Sequence, residues 1–357
     1  MNILFSVHLY PPTHNCGGEY YIHNFSKFMI SHGHQVRVIL HQARNHGIDT
    51  HYIYEGVYVS PPIQGVVQAC MEWSDAVISH LEYAPWTIQM CNIFRKPFFF
   101  ISHNSHDYAC IRSANWPLNV IYNSEWMRNY LQYKQNSMVL HPPISDDKII
   151  PDNESIDKEF ITLINCNERK GGSLFAEIAR QMPERKFLCV RGSYDEQVVP
   201  YLPNITSHDN TPDIKPIYAR TRILLMPSAY ESWGSTATEA MANGIPVIAF
   251  ATPGLKENLA NAGILINSRN YERWAIEHEK PCFGYFDEKT KEQVNFLDNT
   301  DVAMWIKQIK RLDDRKLYLS ISEKARQRAK ELDPAVELAE AETFIYNACI
   351  NYRHPAS

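Results

Sequence analysis

Glu231 and Glu239 stand eight residues apart on either side of a run of small residues, Glu231-Ser-Trp-Gly-Ser-Thr-Ala-Thr-Glu239-Ala-Met-Ala-Asn-Gly-Ile-Pro-Val247. The run follows an apolar strand pattern, Arg222-Ile-Leu-Leu-Met226, and leads into a helix-forming one, Thr238-Glu-Ala-Met-Ala242. A strand that feeds a helix through small residues aims backbone N–H groups at whatever lies above the sheet. Helix N-termini of this kind favour anions. One carboxylate before the turn and one a turn into the helix suit two neighbouring polyols, such as a sugar and a ribose.

Two further strand-to-helix turns carry polar groups. The first runs from Val7 through His8, Tyr10, Pro11 and Pro12 to Gly17-Gly18-Glu19, and its glycines allow close backbone approach to a phosphate. A Gly-Gly pair alone is equally consistent with a tight turn. The second reads Asn165-Cys-Asn-Glu-Arg169-Lys170-Gly171-Gly172. Its two cations beside glycines and a helix start are suited to clamp a diphosphate and to offset the charge of a departing nucleotide. The bland reading is a solvated basic turn.

These turns need a scaffold that places strand ends together. In the first half, strand patterns at Ile3–Val7, Gln35–Leu40, Asp75–Ser79, Pro97–Ile101 and Val120–Tyr122 alternate with helical ones such as Glu19–His32. The alternation restarts at Phe160–Ile164, with a helix over Gly172–Met182 and strands at Lys186–Val190, Arg222–Met226 and Pro246–Phe250. Such alternation predicts α/β architecture with parallel sheets, which bind ligands beyond the carboxyl ends of their strands. A polar stretch from Pro142 to Ser155 reads as a linker. The expected division is a first Rossmann-like domain over 1–150, a second over 151–330 and a helical segment over 331–357. Two such domains would leave a ligand cleft between them. The irregular, aromatic-rich stretch over 267–297 reads as an insertion.

Length and composition agree with that division. The 357 residues are 45% hydrophobic and 21% charged, enough for two cores. The net charge of -5 argues against a nucleic-acid or anionic-membrane protein. Residues 1–150 hold 9 Lys+Arg, 10 Asp+Glu and 12 of the 15 histidines, a balance suited to a neutral polyhydroxylated ligand. The eight cysteines show neither a C-x-x-C pair nor a zinc-ligand spacing, so buried free thiols in a reducing cytoplasm are expected. The chain opens directly on a strand, with no basic leader and no apolar run long enough to span a bilayer. A cytoplasmic protein is the expectation.

Taken together, the motifs resemble the large retaining group of GT-B glycosyltransferases known as family 4, or glycosyl transferases group 1. The opening strand, Tyr10-Pro11-Pro12, Gly17-Gly18-Glu19 and Gly33-His34-Gln-Val36 are similar to that family's start. Pro227-Ser228, Glu231, Gly234, Glu239-Ala-Met-Ala242, Gly244, Pro246-Val247, Gly254, Glu257 and Gly263 are similar to its signature. The resemblance spans nearly the whole chain.

It implies two Rossmann-like domains facing across a cleft, with the last segment packing back toward the first domain. It further implies that Glu231 lies by the donor sugar hydroxyls and Glu239 by the nucleotide ribose. Backbone amides near Gly234, Ser235 and Thr236 would face sugar and phosphates, and Lys170 would be the diphosphate lysine. Gly17 and Gly18 would join the donor site. Five residues before that lysine the family pattern has arginine, where this chain has Asn165; Arg169 or Arg191 would then take its place. His103, after the apolar run Phe98–Ile101, matches a cleft-facing histidine near the transferred sugar. His80 and Asn123, at two other strand ends, are acceptor-side candidates; His8 and His106 are weaker ones.

The implied activity is a retaining transfer of sugar from a UDP- or GDP-linked donor to an acceptor hydroxyl. No Asp-x-Asp pair stands at a strand end to hold a metal, so no metal or other cofactor is expected. The departing diphosphate would be neutralised by cations, amides and helix dipoles. Glycans, lipid-linked sugars and small molecules are the expected acceptors, with peripheral membrane contact open. A hydroxymethylated base in DNA is a weaker candidate, since duplex binding relies on phosphate neutralisation. A sugar-nucleotide epimerase on the same fold is opposed by the Glu231–Glu239 signature. A binding subunit without activity is opposed by the presence of both glutamates, Lys170 and His103.

Overall fold

The computed structural model of the protein describes residues 1–14, 16–104, 118–150, 158–193, 195–198, 201–267 and 299–353. His106 and all of the 267–297 stretch except residue 267 lie outside the described residues. The chain forms two compact units, one from Met1–Pro143 with Pro334–Ser357 and one from Ile144–Asp333.

The first unit is built on strands β1 (Asn2–Val7), β2 (Gln35–Leu40), β3 (Tyr52–Tyr54), β4 (Val57–Ser60), β5 (Ala76–His80), β6 (Phe98–Ser102), β7 (Asn119–Tyr122) and β8 (Ser137–Val139). Among the described residues they form one sheet in the order β3-β4-β2-β1-β5-β6-β7-β8, parallel except for the β3–β4 hairpin. The strands are apolar on both faces because helices cover both. Ile3, Phe5, Val7, Ile78 and Ile101 lie in one core layer; Leu4, Val77, Phe100 and Val120 lie in the other. Helices α1 (Gly17–Ser31), α2 (Gln64–Trp73), α3 (Ala84–Phe94) and α4 (Glu125–Leu131) follow strands of this sheet. α1 buries Tyr21, Ile22, Phe25 and Met29, a helical spacing that lays one apolar stripe on the sheet.

The second unit carries β9 (Phe160–Ile164), β10 (Phe187–Val190), β11 (Ile205–His208), β12 (Thr221–Met226), β13 (Val247–Phe250) and β14 (Ile264–Ile266). Their order is β11-β10-β9-β12-β13-β14, all parallel. The order reverses direction beside β9, so the ends of β9 and β12 flank the kind of crevice where parallel sheets bind ligands. Helices α5 (Gly172–Gln181), α6 (Lys215–Arg220), α7 (Ser235–Ala242), α8 (Pro253–Leu259), α9 (Asn299–Arg311) and α10 (Arg315–Glu331) complete it. α11 (Ala335–Arg353) then returns to the first unit, where Leu338, Ala341, Ile345 and Cys349 join the core layer that holds Ile3, Phe5 and Ile101. His32 and His34 hold Glu342 of α11 at 2.6 and 2.8 Å, and His141 holds Glu337 at 2.7 Å.

The cysteines correct one expectation. Cys166 and Cys189 are joined as a disulfide, whereas Cys70 and Cys91 are buried thiols outside it. Register explains the meeting: Leu163 pairs with Cys189 across β9 and β10, and Cys166 follows just past the end of β9. Spacing along the chain does not reveal a contact set by strand pairing. No helix of the described residues is long and apolar enough to cross a membrane.

Candidate functional site

In the second unit, the turn after β9 is shaped by its own hydrogen bonds and a close backbone approach. Asn167 accepts the Lys170 backbone N–H at 2.9 Å and caps a short 3-10 turn over Glu168–Lys170. Gly171 then takes φ +85, and a Cβ there would stand 2.5 Å from Pro227 Cγ and 2.6 Å from Pro227 O. Only glycine lets the turn after β9 lie this close to the segment after β12. That approach brings Lys170 to Glu231: its Nζ donates to Oε1 at 2.5 Å. Glu231 is almost buried, and the Lys170 side chain is partly exposed. Ala229 N–H donates to Arg169 O at 3.1 Å, a second tie between the same two segments.

Beyond Glu231 the chain turns through Gly234, at φ +89, which precedes the first residue of α7. The N–H groups of Ser235 and Thr236 belong to the first turn of that helix, where no intrahelical acceptor is available. Asn258, wholly buried, fixes the turn: its amide donates to Trp233 O at 3.0 Å, Gly234 O at 3.1 Å and Thr238 Oγ1 at 2.9 Å. Asn258→Ala is expected to orphan these buried carbonyls, at a cost of about 2–4 kcal/mol. A lower Tm and weaker binding of a nucleoside diphosphate in the same variant would check it; an unchanged Tm would mean the turn is held otherwise.

One helical stretch on, the Glu239 carboxylate is held from two sides. Lys148 Nζ donates to Oε1 at 2.8 Å, and Tyr218 Oη donates to Oε2 at 2.6 Å. Burial, and then the neighbouring Glu239 charge, push the Tyr218 phenol well above its ordinary pKa, so it stays a donor. Lys148, Tyr218 and Asn258 carry no motif signal. They converge only because the fold brings the 3-10 turn over Asp146–Lys148, α6 and α8 against α7.

The other two candidate cations of this unit have partners of their own. Arg169 forms an ion pair with Asp195, and Arg191 Nε lies 3.7 Å from Asp209 Oδ1. Asn165, at φ +68, fills the space left by Gly192 and accepts from Gln197 Nε2 at 3.2 Å.

In the first unit, the strand-end residues form a buried polar group. His8 Nε2 meets Glu19 Oε1 at 2.9 Å, and His8 Nδ1 meets His80 Nε2 at 3.1 Å. The His80 and His103 rings are 5.0 Å apart in an edge-to-face arrangement, and Tyr21 flanks His103 at 5.1 Å. The Asn123 amide donates to His103 O at 3.4 Å. Gly17 and Gly18 open α1, and a Cβ on Gly18 would touch His80 Cε1 at 4.0 Å. The structure therefore gathers His103, His80, Asn123 and the two glycines in one unit, and Lys170, Glu231, Gly234, Ser235 and Thr236 around one turn in the other. Of the described residues, His14, Cys16 and Glu19 have ligand atoms within 4.8 Å of one another, a set able to hold a metal ion.

Burial also sets the charge of His80, His103 and His41. It lowers the pKa of His80 well below the ordinary value, with His103 and His8 adding to the effect. It lowers His103 to about 4, opposed by the Glu19 charge, and His41 to about 4. These groups are neutral when folded near pH 7, whereas the unfolded chain takes up their protons below about 6.5. Unfolding then binds protons, so stability is full above that value and falls as pH drops toward 4. The loss is on the order of 1–2 kcal/mol each for His41 and His103 at about pH 5, allowing for partial solvent screening. Calorimetry should show the first unit melting earlier at about pH 5 than at pH 7.5; a melting point flat over that range would contradict the burial argument.

Residues 159–280 match the family model described as glycosyl transferases group 1. D-inositol 3-phosphate glycosyltransferase of Corynebacterium urealyticum is 39% identical over 61 residues, covering 16% of this chain and 14% of that protein. The protein of the same name from Corynebacterium kroppenstedtii is 29% identical over 104 residues, covering 29% of this chain and 23% of that one. The chain thus aligns with less than a quarter of the length of either relative. Sucrose-phosphate synthase from Thermosynechococcus elongatus superposes with a TM-score of 0.73 at 15% identity, over 97% of this chain and 98% of that one. Anabaena HepE, in complex with UDP-glucose, gives 0.69 at 15% identity, over 96% and 99%. Identities this low speak to fold, whereas the family match covers the residues around Lys170, Glu231 and Glu239. The second unit thus contains the stretch that matches the group 1 glycosyltransferase model, and the chain as a whole has the GT-B fold.

Proposed function

We propose that the protein is a retaining glycosyltransferase that moves a sugar from a nucleoside-diphosphate sugar to an acceptor hydroxyl without a catalytic metal. The observation that carries the reading is the Lys170–Glu231 pair at the mouth of α7, with Glu239 held further along the same helix. A cation, a carboxylate and free helix-start amides within one turn suit a diphosphate joined to a polyol. The Anabaena neighbour with bound UDP-glucose supports the donor class.

In this mechanism the donor diphosphate takes the Lys170 ammonium, which exchanges the Glu231 carboxylate for phosphate oxygens. Glu231, so released, accepts hydrogen bonds from the sugar hydroxyls and fixes the ring. Glu239 accepts from the ribose hydroxyls. As the bond from the anomeric carbon to the phosphate oxygen breaks, negative charge grows on the diphosphate, and Lys170 and the Ser235 and Thr236 amides stabilise it. The acceptor oxygen bonds to the anomeric carbon on the face the phosphate leaves, and the leaving phosphate oxygen takes the acceptor's proton. His103 and Asn123 position hydroxyls in the first unit, and Arg169 is the candidate for the role of the arginine missing at Asn165.

A thermal-shift series with UDP, GDP and their sugar conjugates tests the donor, and proton NMR of the product tests the anomeric outcome. A rise in Tm with one nucleoside diphosphate, followed by a product of unchanged anomeric configuration, is expected. Inverted configuration would overturn the same-face mechanism. No response to any nucleotide, with no transfer or hydrolysis, would overturn the assignment.

A further inference from the structure

The proposed reaction leaves a buried feature of the first unit without a use. Glu19 is 2% exposed, a carboxylate taken almost wholly out of water, and the fold keeps it there between His8 and His14. A buried charge of this kind is costly unless its partners hold it in one arrangement. Here the arrangement continues inward as a chain of hydrogen bonds. Glu19 Oε1 lies 2.9 Å from His8 Nε2, and His8 Nδ1 lies 3.1 Å from His80 Nε2.

The chemistry of the groups gives the chain a direction. An ionised carboxylate only accepts, so the proton of His8 sits on Nε2. With a single proton on the His8 ring, its Nδ1 lone pair accepts, and His80 then donates from Nε2. His80 Nδ1 is left as a bare lone pair, and that atom is buried without a hydrogen-bond partner. In that arrangement the Glu19 carboxylate sets the tautomer of two successive rings. The last ring of the chain is also a wall of the next: His80 contacts His103 edge to face at 5.0 Å, and Tyr21 closes on His103 from another direction at 5.1 Å. Tyr21 is itself pinned, its hydroxyl donating to Leu140 O at 3.1 Å. His103 is thus seated between two rings whose own positions are fixed by hydrogen bonds.

We propose that Glu19 and His8 are positioning residues that act through His80, locking its Nε2–H tautomer so that the His103 imidazole is held in one orientation toward a sugar hydroxyl. The Glu19–His8–His80 chain is what distinguishes this from three histidines that merely share a core. The functional half of the inference rests on the proposed transferase reading, in which His103 faces the transferred sugar. The tautomer half does not.

Two measurements on the full-length protein test it. Nitrogen-15 spectra of histidine-labelled wild-type protein should show His80 protonated at Nε2 and bare at Nδ1, and Glu19→Ala should lose that single tautomer. A proton on Nδ1 of His80 in the wild type would overturn the proposal without any variant having to fold. In kinetics, Glu19→Gln keeps the shape but removes the charge, and His8→Gln keeps a group able to mimic Nε2 but cannot relay to His80. Both are expected to lower kcat by about tenfold, with the donor KM within about twofold of wild type. His103→Ala is the reference. If His103→Ala is impaired while Glu19→Gln and His8→Gln keep wild-type kcat, the relay is overturned and the transferase reading stands. If His103→Ala itself transfers sugar normally, the role given to His103 falls, and with it the functional half of the proposal.

Discussion

Glu231→Ala is expected to lower kcat by at least about a hundredfold while leaving the fold intact, because in the proposed mechanism it removes a group that stabilises the transition state by contact with the reacting sugar. The fold should survive for a structural reason. The side chain of Glu231 makes its contact with Lys170, a partly exposed cation that water can solvate once the carboxylate is gone. The backbone at this point is held by other means, chiefly the Asn258 amide on Trp233 and Gly234 and the packing of Gly254 against Glu231 O and Ser232. A Tm near that of the wild type together with lost turnover is the expected pair of results. Near-normal turnover would remove Glu231 from the mechanism.

Lys170→Ala is expected to weaken both donor binding and turnover, each by about 10- to 100-fold, the worth of a hydrogen bond to a charged group. It differs from Glu231→Ala in what it leaves behind. In the proposed donor complex, loss of the lysine would leave the Glu231 carboxylate near the diphosphate without a counter-charge, so donor affinity should fall as well as rate. Arg169→Ala serves as the comparison: its pair with Asp195 is largely exposed, and exposed pairs contribute little to stability. Any loss in Arg169→Ala would therefore report on the ligand and not on the fold. Titration with the nucleoside diphosphate decides between them. Unchanged affinity in Lys170→Ala would move the clamp to Arg169 or Arg191.

The parallel α/β architecture was legible because its strands are short apolar runs punctuated by turns. Gln35–Leu40 and Phe160–Ile164 match the observed strands residue for residue, and β1 extends its expected span by one residue. Edge strands were not legible. Ile205–His208 is mostly exposed, so no apolar pattern marks it, and Ser137–Val139 and Ile264–Ile266 are too short to show a period. The small-residue turn from Glu231 to Glu239 could be read because strand, turn and helix are contiguous. Its supports could not. Lys148 lies 91 residues from Glu239 in the chain, and Asn258 reaches back 25 residues to Trp233; both meetings depend on how helices pack on the sheet. The Cys166–Cys189 bridge is the same lesson in another form, since adjacent strands set it. The direction of the Glu19–His8–His80 chain is likewise invisible until β1, α1 and β5 are side by side.

The return of α11 to the first unit has a consequence for the order in which the protein can be made. The first unit is interrupted after Pro143 and resumes at Pro334, with the whole of Ile144–Asp333 translated in between. A nascent chain emerging from the ribosome therefore has the sheet of the first unit long before it has Leu338, Ala341, Ile345 and Cys349 to cover it. Domains in nascent chains tend to fold as units, from the N-terminus onward, and uncovered apolar surface is where they aggregate. Here the second unit is free to complete itself first, while the sheet of the first unit waits for α11.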